Sequence, residues 1–236
     1  MKIRIKFAKE GTMKFIGHLD VMRYFQKVMR RADVDIRYSE GFSPHQIMSF
    51  ASPLGVGMES RGEYVDIEVL SSDSSKEMLR RINSVIGDEM EAISYRLLPD
   101  NAANAMSIVA AADYVVKFRP GYEPADWISF AKGLETFMNQ NDIMIVKKTK
   151  KGEKEMNLRP LIYDLSVDGD AIHMKLATGS AANIKPDVVI GAYMISRGEE
   201  LKDFALMVTR MEVYANKGTE DKPEFIALED FGEDIE

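Results

Sequence analysis

The prediction of the fold starts from residues 17–63, which read GHLDVMRYFQKVMRRADVDIRYSEGFSPHQIMSFASPLGVGMESRGE. The first part of this stretch repeats apolar residues at spacings of three and four, which predicts a helix over residues 18–32. Its predicted buried side carries Leu19, Met22, Phe25 and Met29. After the helix, a turn marked by glycine and proline separates two short predicted strands, residues 35–39 and 46–51.

The residues around this stretch complete a recognisable order of elements. Residues 2–8, 63–70 and 91–98 alternate between apolar and polar side chains, as half-buried strands do. Residues 76–86 predict a helix, which Gly87 closes. The order over residues 1–99 is therefore strand, helix, one or two short strands, strand, helix, strand, which is the order of a ferredoxin-like unit.

A similar order begins again after residue 112. The predicted elements are, in chain order, strand 113–118, helix 124–138, strand 143–147, strands 158–167 and 171–177, helix 186–195 and strand 203–214. We therefore predict an α+β protein of two ferredoxin-like (βαββαβ-type) halves with mainly antiparallel sheets, residues 1–100 and 101–216. An acidic flexible tail, residues 217–236, is predicted to follow them.

The composition excludes several classes of site. The chain of 236 residues has no cysteine, so it forms no disulfide, no thiolate zinc site and no cysteine-ligated iron–sulfur cluster. Since its N-terminus resembles a strand and no apolar run is long enough for a bilayer, we predict a cytoplasmic location.

The charge is unevenly distributed along the chain. The net charge is −7, yet residues 1–48 carry ten Lys and Arg against five Asp and Glu, whereas residues 217–236 carry two against eight. An acidic total is therefore compatible with a basic binding face.

Four polar residues near the predicted turns are candidates for chemistry: His18, Asp20, His45 and Glu63. An imidazole pair could supply general acid and base catalysis, because imidazole titrates near neutral pH. The structural alternative is that each histidine caps or hydrogen-bonds a loop. A mixed His and carboxylate metal site is conceivable from the same residues, but the close spacing of an HExxH motif is missing, so we predict neither a metal nor a cofactor.

Two basic elements favour a polyanionic partner. Helix residues 18–32 place cations opposite the apolar side, and residues 147–159 hold six cations against two anions on a hairpin-like loop. Such elements bind nucleic-acid phosphates by charge, although a solvated surface helix often carries the same residues. The predicted RNA-binding residues are Arg23, Lys27, Arg30, Arg31, Lys148, Lys150, Lys151 and Arg159.

The glycines and prolines between residues 41 and 57 are predicted to shape loops. Gly55-Val56-Gly57 lacks both the GxGxxG register and a GKS or GKT ending, and a strand follows it, so it is no nucleotide fingerprint. The predicted loop-shaping residues are Gly41, Phe42, Pro44, Pro53, Gly55 and Gly57.

Several segments together resemble the radical SAM-linked proteins, a bacterial family of unknown function. They are FIGHLDVMR (15–23), RRA (30–32), YSEGFSPH (38–45), SFASPLGVG (49–57) with EY (63–64), NLRP (157–160), GS (179–180) and KP (185–186). In the last of these the family more often has arginine before the proline. Members are typically encoded beside, or fused behind, a cobalamin-binding radical SAM protein, often near RNA- or ribosome-related genes. The resemblance implies an accessory partner of such a protein, and without cysteine this chain cannot itself hold the radical SAM cluster.

Three hypotheses follow. The first is an accessory protein that binds tRNA, rRNA or mRNA through a basic groove and presents it to a radical SAM enzyme. The second is an enzyme, such as a metal-independent endoribonuclease that uses His18 or His45. The third is a scaffold that grips the radical SAM partner, with no role for RNA.

Overall fold

The computed structural model describes residues 1–149 and 152–236. Its helices and strands, in chain order, are β1 (Lys2–Lys9), α1 (His18–Arg31), β2 (Met48–Phe50), β3 (Glu59–Glu68), α2 (Ser75–Asn83), β4 (Met90–Leu98), α3 (Ala105–Ile108), β5 (Val109–Phe118), α4 (Trp127–Met138), β6 (Met144–Thr149), β7 (Gly152–Asn157), β8 (Ile162–Asp168), β9 (Ala171–Ala177), α5 (Pro186–Ser196), β10 (Leu206–Asn216) and β11 (Phe225–Ala227). No helix of the described chain combines the length and the apolar character needed to cross a membrane.

The chain forms two compact units. The first unit comprises residues 1–110 and 210–236, and the second comprises residues 111–209. The predicted division at residue 100 therefore differs from the observed one, because the chain returns to the first unit with β10. The prediction of a flexible tail also needs correction, because residues 217–236 belong to the first compact unit.

The sheet of the first unit has the order β4-β1-β3-β10, with β2 paired to β3 and β11 paired to β10. Strand β1 is antiparallel to both β3 and β4, and β2 is antiparallel to β3. The register sets Ile5 opposite Val65 on one side and Tyr95 on the other. The first unit is thus a mixed α+β structure with a mostly antiparallel sheet, as the pattern of strands and helices predicts.

Helix α1 packs on this sheet through a set of residues that overlaps the predicted one only in part, at Phe25 and Met29. Its buried residues are Val21, Phe25, Val28 and Met29. Leu19 is 61% exposed, whereas Phe25 is fully buried and lies 4.5 Å from Phe7 of β1 between ring centroids. Val21, Phe25 and Val28 follow the i, i+4, i+7 rows of a helix, so the apolar side is rotated away from Leu19.

The opposite face of β1 is polar and is closed by the end of the chain. The guanidinium of Arg4, 1% exposed, donates to both carboxylate oxygens of Asp66 at 2.7 and 2.9 Å and to the carbonyl of Leu228 at 3.0 Å. Lys6 lies 2.6 Å from the carboxylates of both Glu212 and Glu229. We call residues 225–235 the closing segment.

The closing segment is anchored along its length. Leu228 is completely buried, Asp234 pairs with Arg96 at 2.9 Å, and the carbonyl of Ile235 accepts from the amide of Ser75 at 2.9 Å. The acidic composition that predicted a flexible tail instead supplies partners for the cations of β1 and β4. Two of its carboxylates, those of Glu229 and Asp234, are therefore paired with cations within the first unit.

In the second unit, β5, β9 and β8 form an antiparallel sheet in that order, and β6 and β7 form a separate hairpin. The predicted Asp-Gly turn joins β8 to β9, with Gly169 at φ 57°. Trp127, at the start of α4, stacks on Phe130 at 5.5 Å and donates its indole N–H to the carbonyl of Gly169 at 2.7 Å. The residues predicted as a basic turn fall on the ends of the paired strands β6 and β7 and on residues 150 and 151, which lie outside the described part of the chain.

Candidate functional site

The predicted turn after α1 is a closed loop over residues 39–45. The hydroxyl of Ser39 accepts from the backbone N–H of His45 at 3.1 Å and shares a hydrogen bond with its Nδ1 at 2.9 Å. The amide of Ser39 also donates to the carbonyl of His45 at 2.8 Å. Gly41 lies at φ 106°, a conformation that disfavours other residues. His45 therefore closes a loop, which is the structural alternative weighed for it.

Phe42 stands at the tip of this loop with its side chain fully exposed, at 110% of the reference area. Burying a phenylalanine side chain is worth about 1.5–3 kcal/mol, so an ordered loop that holds one in water forgoes that stabilisation. Among the exposed large apolar side chains of the described residues, Phe42 has the largest exposed fraction. We call residues 39–45 the Phe42 loop.

Polar contacts join the base of the Phe42 loop to α1. The side-chain amide of Gln46 donates to the carbonyl of Gln26 at 3.2 Å and to the hydroxyl of Tyr38 at 3.4 Å. Gln26 lies in the middle of α1, on the helix that carries the predicted cations. The loop and the basic side of the helix are therefore neighbours in one unit.

The cations of α1 are on the surface, as expected of a binding face or a solvated helix. They are Arg23, Lys27, Arg30 and Arg31, all exposed. Arg23 pairs with Asp20 at 3.3 Å across solvent, with 68% and 64% of the two side chains exposed, and such pairs hold a cation only weakly. Arg30 donates its Nε–H to the carbonyl of Gln26 at 3.3 Å. We call these four cations together with Phe42 the α1 surface.

A second group of polar residues surrounds a small cavity under the 51–58 loop. His18 lies edge-on to Phe50 at 5.3 Å, and both line the cavity with Lys9, Ser52 and Glu63. The cavity volume is about 10 Å³, enough for roughly one water molecule. The arrangement brings together His18 and Glu63, two of the four predicted candidates, in a space too small for a substrate.

Glu63 is committed to a buried ion pair. Arg210 donates to its two carboxylate oxygens at 2.7 and 2.5 Å and to the carbonyl of Ser52 at 2.8 Å, and the side chains of Arg210 and Glu63 are only 4% and 7% exposed. Breaking such a pair is costly because the remaining charge is left buried. Glu63 therefore serves as a structural anchor between β3, β10 and the 51–58 loop.

Lys9 is the other cation of this cavity. It is 2% exposed and donates to the carbonyl of Ile16 at 3.1 Å. Burial lowers the pKa of the Lys9 ammonium, with the Arg210 charge acting in the same direction and Glu63 opposing both. Because a desolvated amine loses its charge more easily, the Lys9 ammonium is less stable in its charged form than a lysine in water.

The other predicted residues have separate locations. Asp20 is exposed near the start of α1, where it pairs with Arg23, and His45 is held within the Phe42 loop by Ser39. Within residues 1–149 and 152–236, no group of three or more His, Cys, Asp or Glu could hold a metal ion. The four candidates thus do not form the conceivable metal site.

The loop-shaping residues lie in two loops. Gly41, Phe42 and Pro44 belong to the Phe42 loop, whereas Pro53, Gly55 and Gly57 belong to the 51–58 loop. Gly57 has φ 88° and donates its amide to the carbonyl of Lys14 at 2.8 Å. A close backbone approach occurs instead at Gly62, where a Cβ would lie 2.5 Å from the carbonyl oxygen of Met211.

The predicted basic loop is only partly described. Lys150 and Lys151 lie outside the described residues, and Lys148 belongs to β6, with its backbone opposite Glu153. Arg159, half-buried, donates to the carbonyl of Ile162 at 3.0 Å. At least one predicted phosphate ligand therefore also has a structural role.

Sequence reasoning missed Lys9, Ser52 and Arg210. Lys9 had a detectable signal, because it continues the odd-numbered apolar face of β1 after Ile3, Ile5 and Phe7, where a cation is unexpected. Arg210 had none, since its partner Glu63 is 147 residues away in the chain.

The chain belongs to a family described as uncharacterized protein conserved in bacteria (DUF2344), whose model matches residues 2–186. No curated protein matches the sequence. One similar solved structure is described as the crystal structure of a Cbf5-Nop10-Gar1 complex, with 10% sequence identity and a TM-score of 0.48. That match covers 89% of this chain and 48% of the other, so this chain spans about half the length of the chain it matches.

Proposed function

We propose that this member of the DUF2344 family binds RNA through the α1 surface, as an accessory protein of a radical SAM enzyme. The observation that supports RNA binding is the combination on one helix-and-loop element of four exposed cations and the fully exposed ring of Phe42. Cations track a phosphate backbone, and an aromatic ring stacks on an unpaired base at about 1–3 kcal/mol per base. The two kinds of side chain together favour single-stranded RNA.

The basic hairpin of the second unit is proposed as a further phosphate contact. Its cations were predicted as Lys148, Lys150, Lys151 and Arg159. Contacts of this type add affinity without sequence preference, because they read only phosphate charge. They would extend the length of RNA that is bound.

The ferredoxin-like description of the halves is also part of the proposal. In the first unit, the order β4-β1-β3-β2 with helices after β1 and β3 matches a split βαβ arrangement. In the second unit, β5, β9 and β8 with α4 and α5 supply three of the four strands and both helices of such a scheme. Sheet-and-helix modules of this type are common among RNA-binding domains.

The proposal of a radical SAM partner is based on the resemblance of the sequence motifs to the radical SAM-linked family. It predicts that the two proteins co-purify and that treatment with ribonuclease weakens their association. An association that survives both ribonuclease and high salt would instead favour the scaffold hypothesis, in which the contact is directly between proteins.

The test of RNA binding is a titration of labelled single-stranded RNA at several salt concentrations. The variant Lys27→Glu/Arg30→Glu/Arg31→Glu should lower affinity by about tenfold or more and reduce the slope of log K against log salt by about 0.7 for each lost phosphate contact. The matched control Lys76→Glu/Lys132→Glu/Lys202→Glu changes three exposed cations elsewhere by the same charge and should bind normally.

A second substitution tests the aromatic contribution. Phe42→Ala should weaken binding by about 1–3 kcal/mol with little change in the salt slope, because stacking involves no counterion release. Phe204→Ala is the matched control, since Phe204 is 85% exposed and lies in the second unit. If the triple charge-reversal variant and Phe42→Ala both bind RNA as tightly as wild type, the α1 surface is not the RNA-binding site. If the affinity does not depend on salt concentration, the binding is not electrostatic.

RNA cleavage is a second candidate function, for which the one supporting observation is that His18 is partly exposed and can reach a substrate outside the small cavity that it lines with Lys9. General acid–base catalysis of this kind contributes typically about 10²–10⁴-fold. His18→Ala should then abolish cleavage and leave RNA affinity unchanged. RNA that stays intact after long incubation with metal-free wild-type protein would exclude this candidate.

A further inference from the structure

A cleft of about 670 Å³ lies at the end of α1, beside the base of the Phe42 loop. Its lining is mainly polar and includes two arginines, Arg30 and Arg81, and three carboxylates, Asp33, Asp35 and Asp73, beside Tyr38, Ser71 and Ser72. The buried apolar residues Val34, Ile36 and Met78 complete it. A concave site that combines a small apolar floor with charged and hydrogen-bonding groups can hold a base and recognise its polar edge. Arg30 belongs to both the cleft and the α1 surface.

The wall of the cleft is fixed before any ligand binds. Arg81 of α2 donates to the carbonyl of Ala32 at 2.9 Å and to the carboxylate of Asp73 at 2.8 Å, and it also donates to the carbonyl of Asp33. These bonds tie the end of α1 to the last turn of α2 and to the segment that precedes α2. A preformed wall lowers the ordering cost of binding.

Three groups of the cleft can recognise a nucleotide. One carboxylate oxygen of Asp35 accepts from the hydroxyl of Ser71 at 2.6 Å, which orients the group, and no hydrogen bond to its other oxygen is found among the described residues. The ring of Tyr38 is 45% exposed, and its hydroxyl is held by Gln46. Arg30 offers its terminal guanidinium nitrogens at the surface.

We propose that this cleft takes one unstacked guanine base of the bound RNA. The inference rests on the proposed RNA binding and specifies a preference at that surface. Guanine presents two adjacent donors, N1–H and N2–H, to a carboxylate such as Asp35, whereas adenine and cytosine present a ring acceptor that a carboxylate repels. Tyr38 would stack on the base, and Arg30 would contact the adjoining phosphate.

The experiment compares oligouridylates that carry one central guanosine, inosine or adenosine, with plain oligouridylate as the reference. Wild type should bind the guanosine form about tenfold more tightly than the adenosine form, the order expected for a bidentate base contact. Inosine lacks the N2 donor and should fall between them. Equal affinity for guanosine and adenosine forms would overturn the proposal.

The variant Asp35→Asn separates recognition from folding. Asparagine keeps an oxygen acceptor for Ser71 but replaces the carboxylate with an amide, so the ratio of affinities for the guanosine and adenosine forms should fall to about one. Asp88→Asn, at an exposed position outside the cleft, should leave the preference intact. A preference that persists in Asp35→Asn would refute the assigned role.

Two further outcomes distinguish the proposals. If no oligonucleotide binds in a salt-dependent way, the proposed function fails, whereas uniform binding of all oligonucleotides refutes only the guanine cleft. If free guanosine monophosphate binds as tightly as the guanosine oligonucleotide, the site serves a free nucleotide and the RNA assignment is overturned.

Discussion

Strand β1 and helix α1 are both rich in cations, yet they use them in opposite ways. On β1, Arg4 and Lys6 lie against the carboxylates of Asp66, Glu212 and Glu229 at hydrogen-bonding distance. On α1, the cations face solvent, and Arg23 has only an exposed partner. Composition therefore cannot distinguish a basic segment that holds a fold together from one that is free to meet a ligand. What distinguishes the two segments is whether a carboxylate from a distant part of the chain packs against the cation.

The largest effect should come from exchanging one arginine of each element for methionine. Arg4→Met leaves Asp66 without its bidentate partner and should lower the free energy of unfolding by about 3–5 kcal/mol. Arg30→Met should change it by about 0.5 kcal/mol or less, because the side chain is exposed. Urea unfolding followed by far-UV circular dichroism measures both. Equal effects of the two substitutions would contradict the comparison.

A matched pair of leucines tests whether the closing segment belongs to the core. Leu228 is fully buried, so Leu228→Ala should cost about 2–5 kcal/mol. Leu19, 61% exposed on α1, should tolerate alanine with a loss of about 0.5 kcal/mol or less. The same unfolding measurement applies, and a negligible effect of Leu228→Ala would restore the prediction of a separate tail.

The carboxylate of Glu229 near the end of the chain should make the free energy of unfolding of the first unit decrease at low pH. Burial alone raises the pKa of Glu229, but the hydrogen bond from Lys6 and the charges of Lys6 and Arg96 outweigh it and hold the pKa below its usual value of 4.5. This stabilisation is therefore complete above about pH 4.5 and is lost as the pH falls through the lower folded pKa. Glu229→Gln should lose about 1.5 kcal/mol at pH 7 and flatten the stability profile between pH 5 and 3.

The control for this pH profile is Glu220→Gln, at an exposed position of the acidic residues 217–236, just before the closing segment. It should reproduce both the wild-type stability and its dependence on pH. Identical profiles for Glu229→Gln and wild type would show that the contact with Lys6 contributes nothing measurable.

The smallest effect is expected at Lys9, which is buried like Arg4 but lacks a bidentate partner. Lys9→Met removes a desolvated charge and keeps the length of the side chain, so the free energy of unfolding should change by about 1 kcal/mol or less, in either direction. A loss as large as that of Arg4→Met would mean that the Lys9 charge is as important to the fold as the Arg4 pair.

Local patterns predicted the elements well and their long-range partners poorly. Alternation located β1, β4 and β9 within about a residue or two, because a half-buried strand imposes its period on the sequence. The same reasoning misplaced Leu19, since neighbouring apolar residues on α1 allow two rotations of the helix. It also predicted that residues 217–236 are disordered. Their carboxylates stabilise a fold only through ion pairs with Lys6 and Arg96, which are distant in the sequence.

The candidate site shows the same division. The loop role of His45 was foreseeable from Gly41 and Pro44, which favour a tight turn. The ion pair between Glu63 and Arg210 was not, because no local signal links positions so far apart in the chain. Nor could the sequence show that His18 faces a cavity of about 10 Å³.

The stacking of Trp127 on Phe130 has a spectroscopic consequence. Trp127 is the single tryptophan of the chain and lies in the second unit, so intrinsic fluorescence excited at long wavelength reports on that unit, whereas circular dichroism reports on helices of both. Coincident unfolding curves from the two signals would show one cooperative transition. Placing a tryptophan at Phe42 and a phenylalanine at Trp127 would move the reporter to the α1 surface, where contact with a base should quench it directly.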